Sequence, residues 1–580
     1  MFQTLWTTYG ESLRDDPERQ PWTAYPRPQM KRDSYINLNG WWEFAASSRE
    51  RVPEAFDRTI RVPFCPESNL SGIGAHFDEG AYLFYRRKVT LPEGFHRGRV
   101  LLHIGAADQI ADVFVNGREI CHHEGGYDSF SCDITDALQE DNEIVVRCQD
   151  DLNNVSFPYG KQVKERGGMW YTPVSGIWQT VWLESVPETY IKKLNIENRG
   201  ASVTIDVEDE TVNGTVTVAG LGQFPLECGK VTITPENPHF WSPEDPYLYE
   251  VTLEAGADRI ESYFALRTLE IKQANGYPRL FLNGKPYFFH GLLDQGYWPE
   301  GLLTAPAPES YAEDILAMKR LGFNTLRKHI KVEPEEFYYQ CDKLGMVVWQ
   351  DMVNNGEYNY TRDTALSNIG VQTLPDKYLH RDQLGRSRFL MGMIKTVMQL
   401  RNHPSICYWT IFNEGWGQFD SDYVYEEFKK LDDTRFVDST SGWFRRKKTD
   451  VDSRHQYLGK LKQKGDGKKP LILSEFGGKA YGEPGHVFNP DKVYGYGATC
   501  TSLQELDISV TSLYYQELLL CVKKGVCASI YTQVSDVEDE INGLLTYDRK
   551  VLKLSEDTML PIAQALKQAN CGEDAVCSAK

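Results

Sequence analysis

Two apolar rhythms divide the chain. From about residue 37 to residue 268, short segments alternate apolar and polar residues between turn-forming pairs such as Asn116-Gly117, Gly125-Gly126 and Asp141-Asn142. Arg99–Ile104, Ala111–Val115 and Glu143–Arg147 are three such segments. Short strands at this spacing predict a β-sandwich of the jelly-roll type. Its closing run, Gly176–Glu184, puts Ile177, Gln179, Val181 and Leu183 on one face. Residues 188–268 alternate in the same way through Ser202–Val207, Gly214–Val218 and Tyr247–Leu253, which predicts an immunoglobulin-like sandwich without its Cys–Trp–Cys hallmark. Residues 1–30 are polar and Pro-rich, an arm expected to lie over another domain.

From about 270 the rhythm changes to strand, helix, strand. Pro286–Leu292, Asn324–Arg327 and Met346–Asp351 read as strands, and Glu309–Leu321 and Glu335–Leu344 as helices. A helix over Ser387–Arg401 precedes Ser405–Gly415, where a nearly unbroken apolar run ends in Asn413-Glu414-Gly415. Leu471–Gly478 repeats that form and ends in Glu475-Phe476-Gly477-Gly478. Such runs are buried parallel strands whose tips open into a cavity. With further strands at Arg435–Ser439, Val451–Gln456 and Cys527–Gln533, and helices at Tyr423–Leu431, Ser512–Lys524 and Leu560–Lys567, the count reaches a (β/α)8 TIM barrel. Glu414 and Glu475 are only 61 residues apart, so the helices after strands five and six must be short or missing. The expected order is therefore 1–187 arm and jelly roll, 188–268 immunoglobulin-like sandwich, and 269–580 barrel, a multidomain β plus α/β chain.

Composition narrows the partners. Lys and Arg number 63 against 82 Asp and Glu, a net charge of −19, which opposes phosphate backbones and anionic membranes. No basic leader with an apolar stretch opens the sequence and no run of eighteen apolar residues follows, so a cytoplasmic protein is expected. The 12 scattered cysteines, with Cys407 and Cys527 inside apolar strands, suggest reduced core thiols. The absence of CxxC or HExxH spacing argues against a structural zinc site, and no clustered magnesium-ligand set stands out, so no metal is expected.

Two glutamates at the same end of one barrel suit glycoside hydrolysis with retention. One carboxyl group protonates the leaving oxygen while the other attacks the anomeric carbon, about 5–5.5 Å away. Glu414 is assigned as acid/base and Glu475 as nucleophile. The Asn413 amide is placed to bind a sugar 2-hydroxyl, and Arg327, with His329 two residues on, to keep the nucleophile ionised. Either glutamate alone reads equally well as a turn or helix cap, since 82 of 580 residues are acidic. It is the pairing of two such strands that favours chemistry.

The motifs resemble glycoside hydrolase family 2, the group of β-galactosidases, β-glucuronidases and β-mannosidases. Leu400-Arg401-Asn402-His403-Pro404-Ser405 through Trp409 to Asn413-Glu414 is similar to the family's acid/base signature. Asn324–His329 through Asp342-Lys343-Leu344-Gly345 to Trp349 resembles its other barrel signature. There Lys328 precedes His329 and Ile330-Lys331 follow, where the family usually has small residues and His-Tyr-Pro. Gly125-Gly126-Tyr127, Ser175–Trp178 and Phe281–Pro286 extend the likeness over roughly 35–570, the first sandwich resembling the family's sugar-binding one.

The resemblance implies an exo-glycosidase acting on carbohydrate by a covalent glycosyl-enzyme, without an organic cofactor, and with a homo-oligomer as an option. It places His290, Asp294 and Trp298 after strand one, Asp351 at strand three and Trp443 after strand five. It further places His455 and Tyr457 after strand six, with Tyr457 near the nucleophile, and Tyr531, Gln533, Asp536 and Glu538 at strand eight. The Gly-rich loop Phe157–Thr172 is expected to reach the barrel mouth with Trp170 or Tyr171 closing the pocket. In this family an Asn-x-Lys pair beyond strand eight recognises glucuronate, and here Asn542 is followed two places later by Leu544, leaving Arg549 or Lys550 as the cations in reach. That demotes a β-glucuronidase, and Asp294, Asp351, Asp536 and Glu538 suit neutral sugars. A β-galactosidase is the first expectation and an α-L-arabinofuranosidase or β-galactofuranosidase the next. A non-catalytic carbohydrate-binding protein is the alternative of another class.

Overall fold

Where alternation governs the sequence, sheets pair face to face. In the computed structural model, which describes residues 2–151, 154–366 and 375–571, the first sandwich stacks a four-stranded sheet on a six-stranded one. Trp42, Phe44, Leu102, Val113, Val146 and Leu183 fill the space between. The closing run splits into Gly176–Ile177 and Val181–Val186; Ile177, Val181 and Leu183 enter that core as their spacing requires. The second sandwich packs three strands on four around Val203, Ile205, Val216, Leu253 and Ile260. One expectation fails here: Cys121 and Cys132, brought together by neighbouring strands, form a disulfide rather than free thiols.

Eight parallel strands make the barrel: β1 Phe289–Asp294, β2 Thr325–Lys328, β3 Val347–Asp351, β4 Ile406–Asn413, β5 Phe436–Ser441, β6 Asp452–Gln456, β7 Leu471–Gly477 and β8 Val526–Thr532. Their alternation sorts neighbours to opposite sides. Leu293 and Val347 join the cluster that also holds Trp349, Ile472 and Ile530, while Leu292 and Val348 pack outward with the helices. The ladder runs β5-β4-β3-β2-β1-β8-β7-β6, leaving a seam between β5 and β6. No helix occupies 442–451 or 457–470 among the described residues, as the short spacing demands. Side chains close the seam instead: Ser441, Ser453 and Ser474 hydroxyls lie 2.6–3.3 Å apart, and Asp450 accepts the Val437 N–H at 2.8 Å.

The arm contains a helix, Thr8–Asp15, that the polar sequence hid; Thr7 caps it by accepting the Gly10 N–H. It crosses to the barrel, where the Trp22 indole donates to the Ala305 carbonyl at 2.8 Å and Gln29 to Asn402 at 3.0 Å. Among the described residues no helix is long and apolar enough to span a membrane.

Candidate active site

The β4 and β7 tips converge. One carboxylate oxygen of Glu414, one of Glu475 and a ring nitrogen of His455 all lie within 4.8 Å of one another. Glu414 is held by a turned backbone: its φ of 53° is left-handed, a conformation unusual for a residue with a Cβ. Its N–H is fixed on the Ser441 carbonyl at 2.9 Å. Gly415 follows because a Cβ there would meet the Phe444 ring at 2.0 Å. Gly477, just past Glu475, is enforced in the same way by Tyr531 at 2.3 Å.

A buried charge network surrounds the pair. Arg327, wholly enclosed, donates to Glu475 at 3.0 Å, to Asp351 at 3.0 Å and to the Asn413 side-chain oxygen at 2.9 Å. Bound through its oxygen, Asn413 keeps its amide nitrogen uncommitted among the described residues. His329 contacts Asp351 at 2.8 Å. Tyr457 donates to Glu475 at 2.6 Å, its ring stacked on Tyr496 at 3.7 Å. His455 touches Glu414 at 2.7 Å and Glu475 at 3.4 Å. Burial alone would raise the Glu475 carboxyl, but the fields of His455, Arg327 and His329 together with the Tyr457 hydrogen bond hold it well below the usual carboxylate range. Glu414, His455 and Glu475 are close enough to hold a metal ion. The guanidinium already bonded to Glu475 opposes a cation there and favours carboxylate chemistry.

The 157–172 loop reaches this mouth. Trp170 stands edge-on to Trp416 at 5.0 Å and to Tyr358 at 4.8 Å, beside the turn that follows Glu414. Tyr171 lies deeper, its hydroxyl donating to Glu540 at 2.6 Å. Glu538 accepts the Thr172 N–H at 3.0 Å and pairs with Arg166 at 3.2 Å, which makes it a fastener for the loop rather than an open sugar acceptor. Trp443 is edge-on to His455 at 5.5 Å, its indole spent on the Asp363 carbonyl. Gln533 donates to Asn542 at 2.8 Å, and Asn542 to Glu540 at 2.9 Å.

Other expected sugar contacts fall elsewhere. His290 faces out of the barrel, between the Gly322 carbonyl and the Tyr514 hydroxyl, and burial lowers it to about 4. Tyr531 also turns outward, packing against Phe476 and Tyr514. Asp294 pairs with Lys328 at 2.7 Å and caps Gly296, and Asp536 is bound by Lys553 at 2.6 Å. Trp298 is covered by Arg549 at 4.0 Å from its ring, so it is packing and not a platform. In each case a strand's alternation or a local cation, neither visible in a motif, removes the side chain from the pocket. Motifs equally miss Tyr496, Glu540 and Lys161. Tyr496 and Glu540 sit on long connections without helix or strand, and the only signal for Lys161 is its place in the Gly-rich loop.

Three family profiles match the chain: the glycosyl hydrolase 2 galactose-binding domain-like profile over 76–170, glycosyl hydrolases family 2 over 188–267, and that family's TIM barrel domain over 274–552. The chain belongs to glycosyl hydrolase family 2. Similar proteins include a β-glucuronidase of Bacteroides fragilis, 26% identical over 358 residues, 57% of this chain and 49% of that protein. A β-galactosidase of Thermoanaerobacter pseudethanolicus is 24% identical over 437 residues, 69% and 54% of the two chains. The chain thus spans about half the length of these curated relatives. Its fold is shared with the β-D-glucuronidase of Dictyoglomus thermophilum, at a TM-score of 0.71 and 19% identity over 94% of this chain and 98% of that one. A family 2 β-galacturonidase of Eisenbergiella tayi, bound to galacturonate, matches over the same shares at a TM-score of 0.65 and 19% identity.

Proposed function

We propose that this family 2 chain is a retaining exo-glycosidase that removes terminal non-reducing sugars by double displacement. The observation that carries this reading is the approach of the Glu414 and Glu475 carboxylates to within 4.8 Å, near the spacing for retention and short of the roughly 6.5–9.5 Å that an inverting water requires. A Glu475 oxygen attacks the anomeric carbon as Glu414 gives its proton to the departing oxygen. Water, losing a proton to Glu414, then attacks the same carbon and releases Glu475 with the sugar's configuration kept. Arg327 and Tyr457 support the first step by keeping Glu475 ionised. Asn413 offers its amide N–H to the 2-hydroxyl, a contact that strengthens as charge develops.

The leading substrate is a neutral β-galactoside. Glu540, held by Tyr171 and Asn542 and with its carboxyl raised by burial, has its remaining lone pairs for sugar hydroxyls and brings no cation for a uronate. A β-glucuronide is the second reading. Asp294, Asp351, Asp536 and Glu538 are each matched by a lysine or arginine, so the pocket repels anions less than the acid count suggests. Lys161, its ammonium 5.5 Å from the Trp170 ring centre and without an ion pair among the described residues, is a free positive charge at the mouth. A panel of nitrophenyl galactoside, galactofuranoside, arabinofuranoside, glucuronide and mannoside decides. Turnover confined to the glucuronide, and lost in Lys161→Ala, would replace the galactoside; no turnover on any glycoside would leave a carbohydrate-binding protein.

A further inference from the structure

The base of the roofing loop rests on a second cluster of acids in the first sandwich. Asp108, Gln109 and Asp150 line a cavity of about 150 Å³ together with Gln162 and Lys164. The strands set them side by side: Asp108 ends Ala107–Asp108, Asp150 follows Asp141–Gln149, and the Gln109 N–H meets the Gln149 carbonyl at 3.4 Å. They are 3, 5 and 8% exposed. Yet Asp108 Oδ1, Gln109 Oε1 and Asp150 Oδ1 have no hydrogen-bond partner. The Asp150 carboxylate accepts no hydrogen bond and meets no cation among the described residues. Lys164, the cation of the lining, is taken by Glu79.

Burying two carboxylates without a countercharge is costly, and the cost is relieved by a proton or by a cation. Burial pushes Asp108 up to about 7 and, with the charge of Asp108 added, Asp150 well above its usual range. The donors are all oxygen, which selects a hard ion, and the uneven mix of carboxylate and amide oxygens suits calcium's flexible shell better than magnesium's octahedron.

We propose that Asp108, Gln109 and Asp150 bind one hard divalent cation, calcium, and that the ion anchors the 157–172 loop. The link is Gln162. Its amide donates to Asp108 Oδ2 at 3.1 Å and to the Tyr127 hydroxyl at 2.9 Å, while its oxygen accepts the Val174 N–H at 2.7 Å. Next to it the Lys161 carbonyl accepts the Tyr171 N–H at 3.0 Å. An ion on Asp108 thereby steadies the stem that carries Trp170 and Tyr171 across to the barrel.

The test uses the full chain stripped with a chelator, in a Glu475→Gln background that dismantles the Glu414–His455–Glu475 cluster as a competing site. Calcium chloride is titrated by calorimetry, with magnesium chloride as a second arm. Trypsin then reports the loop through Lys161, Lys164 and Arg166. One calcium per chain, a melting temperature raised by about 2 °C or more, and loop cleavage slowed about tenfold are expected, all lost in Asp150→Asn and Asp108→Asn. Absence of binding to the parent chain, or undiminished binding in both variants, overturns the site; tighter magnesium overturns the choice of ion. Should either variant fail to fold, Gln109→Ala is expected to weaken calcium at least about fivefold, and an unchanged affinity counts against the site.

Discussion

Two carboxylates at barrel strand tips have opposite fates. Glu475, near the end of β7, meets Arg327, His455 and Tyr457 but keeps a face toward Glu414. Asp294, ending β1, is drawn to Lys328 and its own turn. Position at a strand tip makes a residue available to the pocket; the neighbouring cation decides whether it is spent there. Glu475 stays available because Arg327 binds it from below while also serving Asp351 and Asn413, so that one charge organises three pocket groups. Lys328 and Lys331 instead share Glu333, forming a closed set with Asp294 that leaves little for a ligand.

The largest expected effect tests the first half of that contrast. Glu475→Ala should lower kcat on an aryl glycoside by roughly 10⁴-fold or more, since nothing replaces the nucleophile. Asp294→Asn should keep kcat within about threefold and cost stability instead, by leaving Lys328 short of a partner. Comparable losses of kcat in the two variants would erase the distinction. Next in size, Glu414→Ala should slow poor leaving groups by about 10²–10⁴ and activated aryl groups far less, because only the former need the proton. Equal slowing would remove Glu414 from that role. Smaller again, Tyr457→Phe takes one hydrogen bond from the ionised Glu475. Its carboxyl should rise, moving the acid limb of kcat/KM to higher pH with a loss of about tenfold at the optimum. A profile that falls without shifting would assign Tyr457 to packing.

What the sequence made legible follows the same division. The barrel, its two missing helices and the convergence of Glu414, Glu475, Asn413 and Arg327 all rest on strands whose apolar runs announce both their extent and their end. Burial on both faces leaves such runs little freedom of register. The strand-eight side is less legible because motifs name residues and not directions. His290 and Tyr531 stand at strand ends, yet the pleat turns them toward Tyr514 and the helices. Asp536 and Glu538 read as sugar acceptors in the sequence because nothing beside them reveals the pairing with Lys553 and Arg166. Tyr496 lies on a connection without regular structure, so no periodicity could bring it to Tyr457.

His290 supplies the finest test, in a quantity activity does not report. Burial lowers its ring to about 4 from an ordinary 6.5, so the folded chain keeps it neutral while the unfolded chain protonates it first. The stability that it contributes is therefore complete above about pH 6.5 and is lost as the pH falls toward 4. Buried acids such as Glu67 and Glu300, raised to about 7 by burial, work in the opposite sense and mask this trend in the parent protein. The informative measurement is a difference. His290→Phe should lie below the parent in stability at pH 7, having lost its contacts to Gly322 and Tyr514. The gap should then narrow by up to about 1.4 kcal/mol per pH unit between 6.5 and 4, with kcat on the preferred glycoside unchanged within about twofold. A gap that stays constant with pH, or a large fall in kcat, would return His290 to the pocket side of the barrel wall.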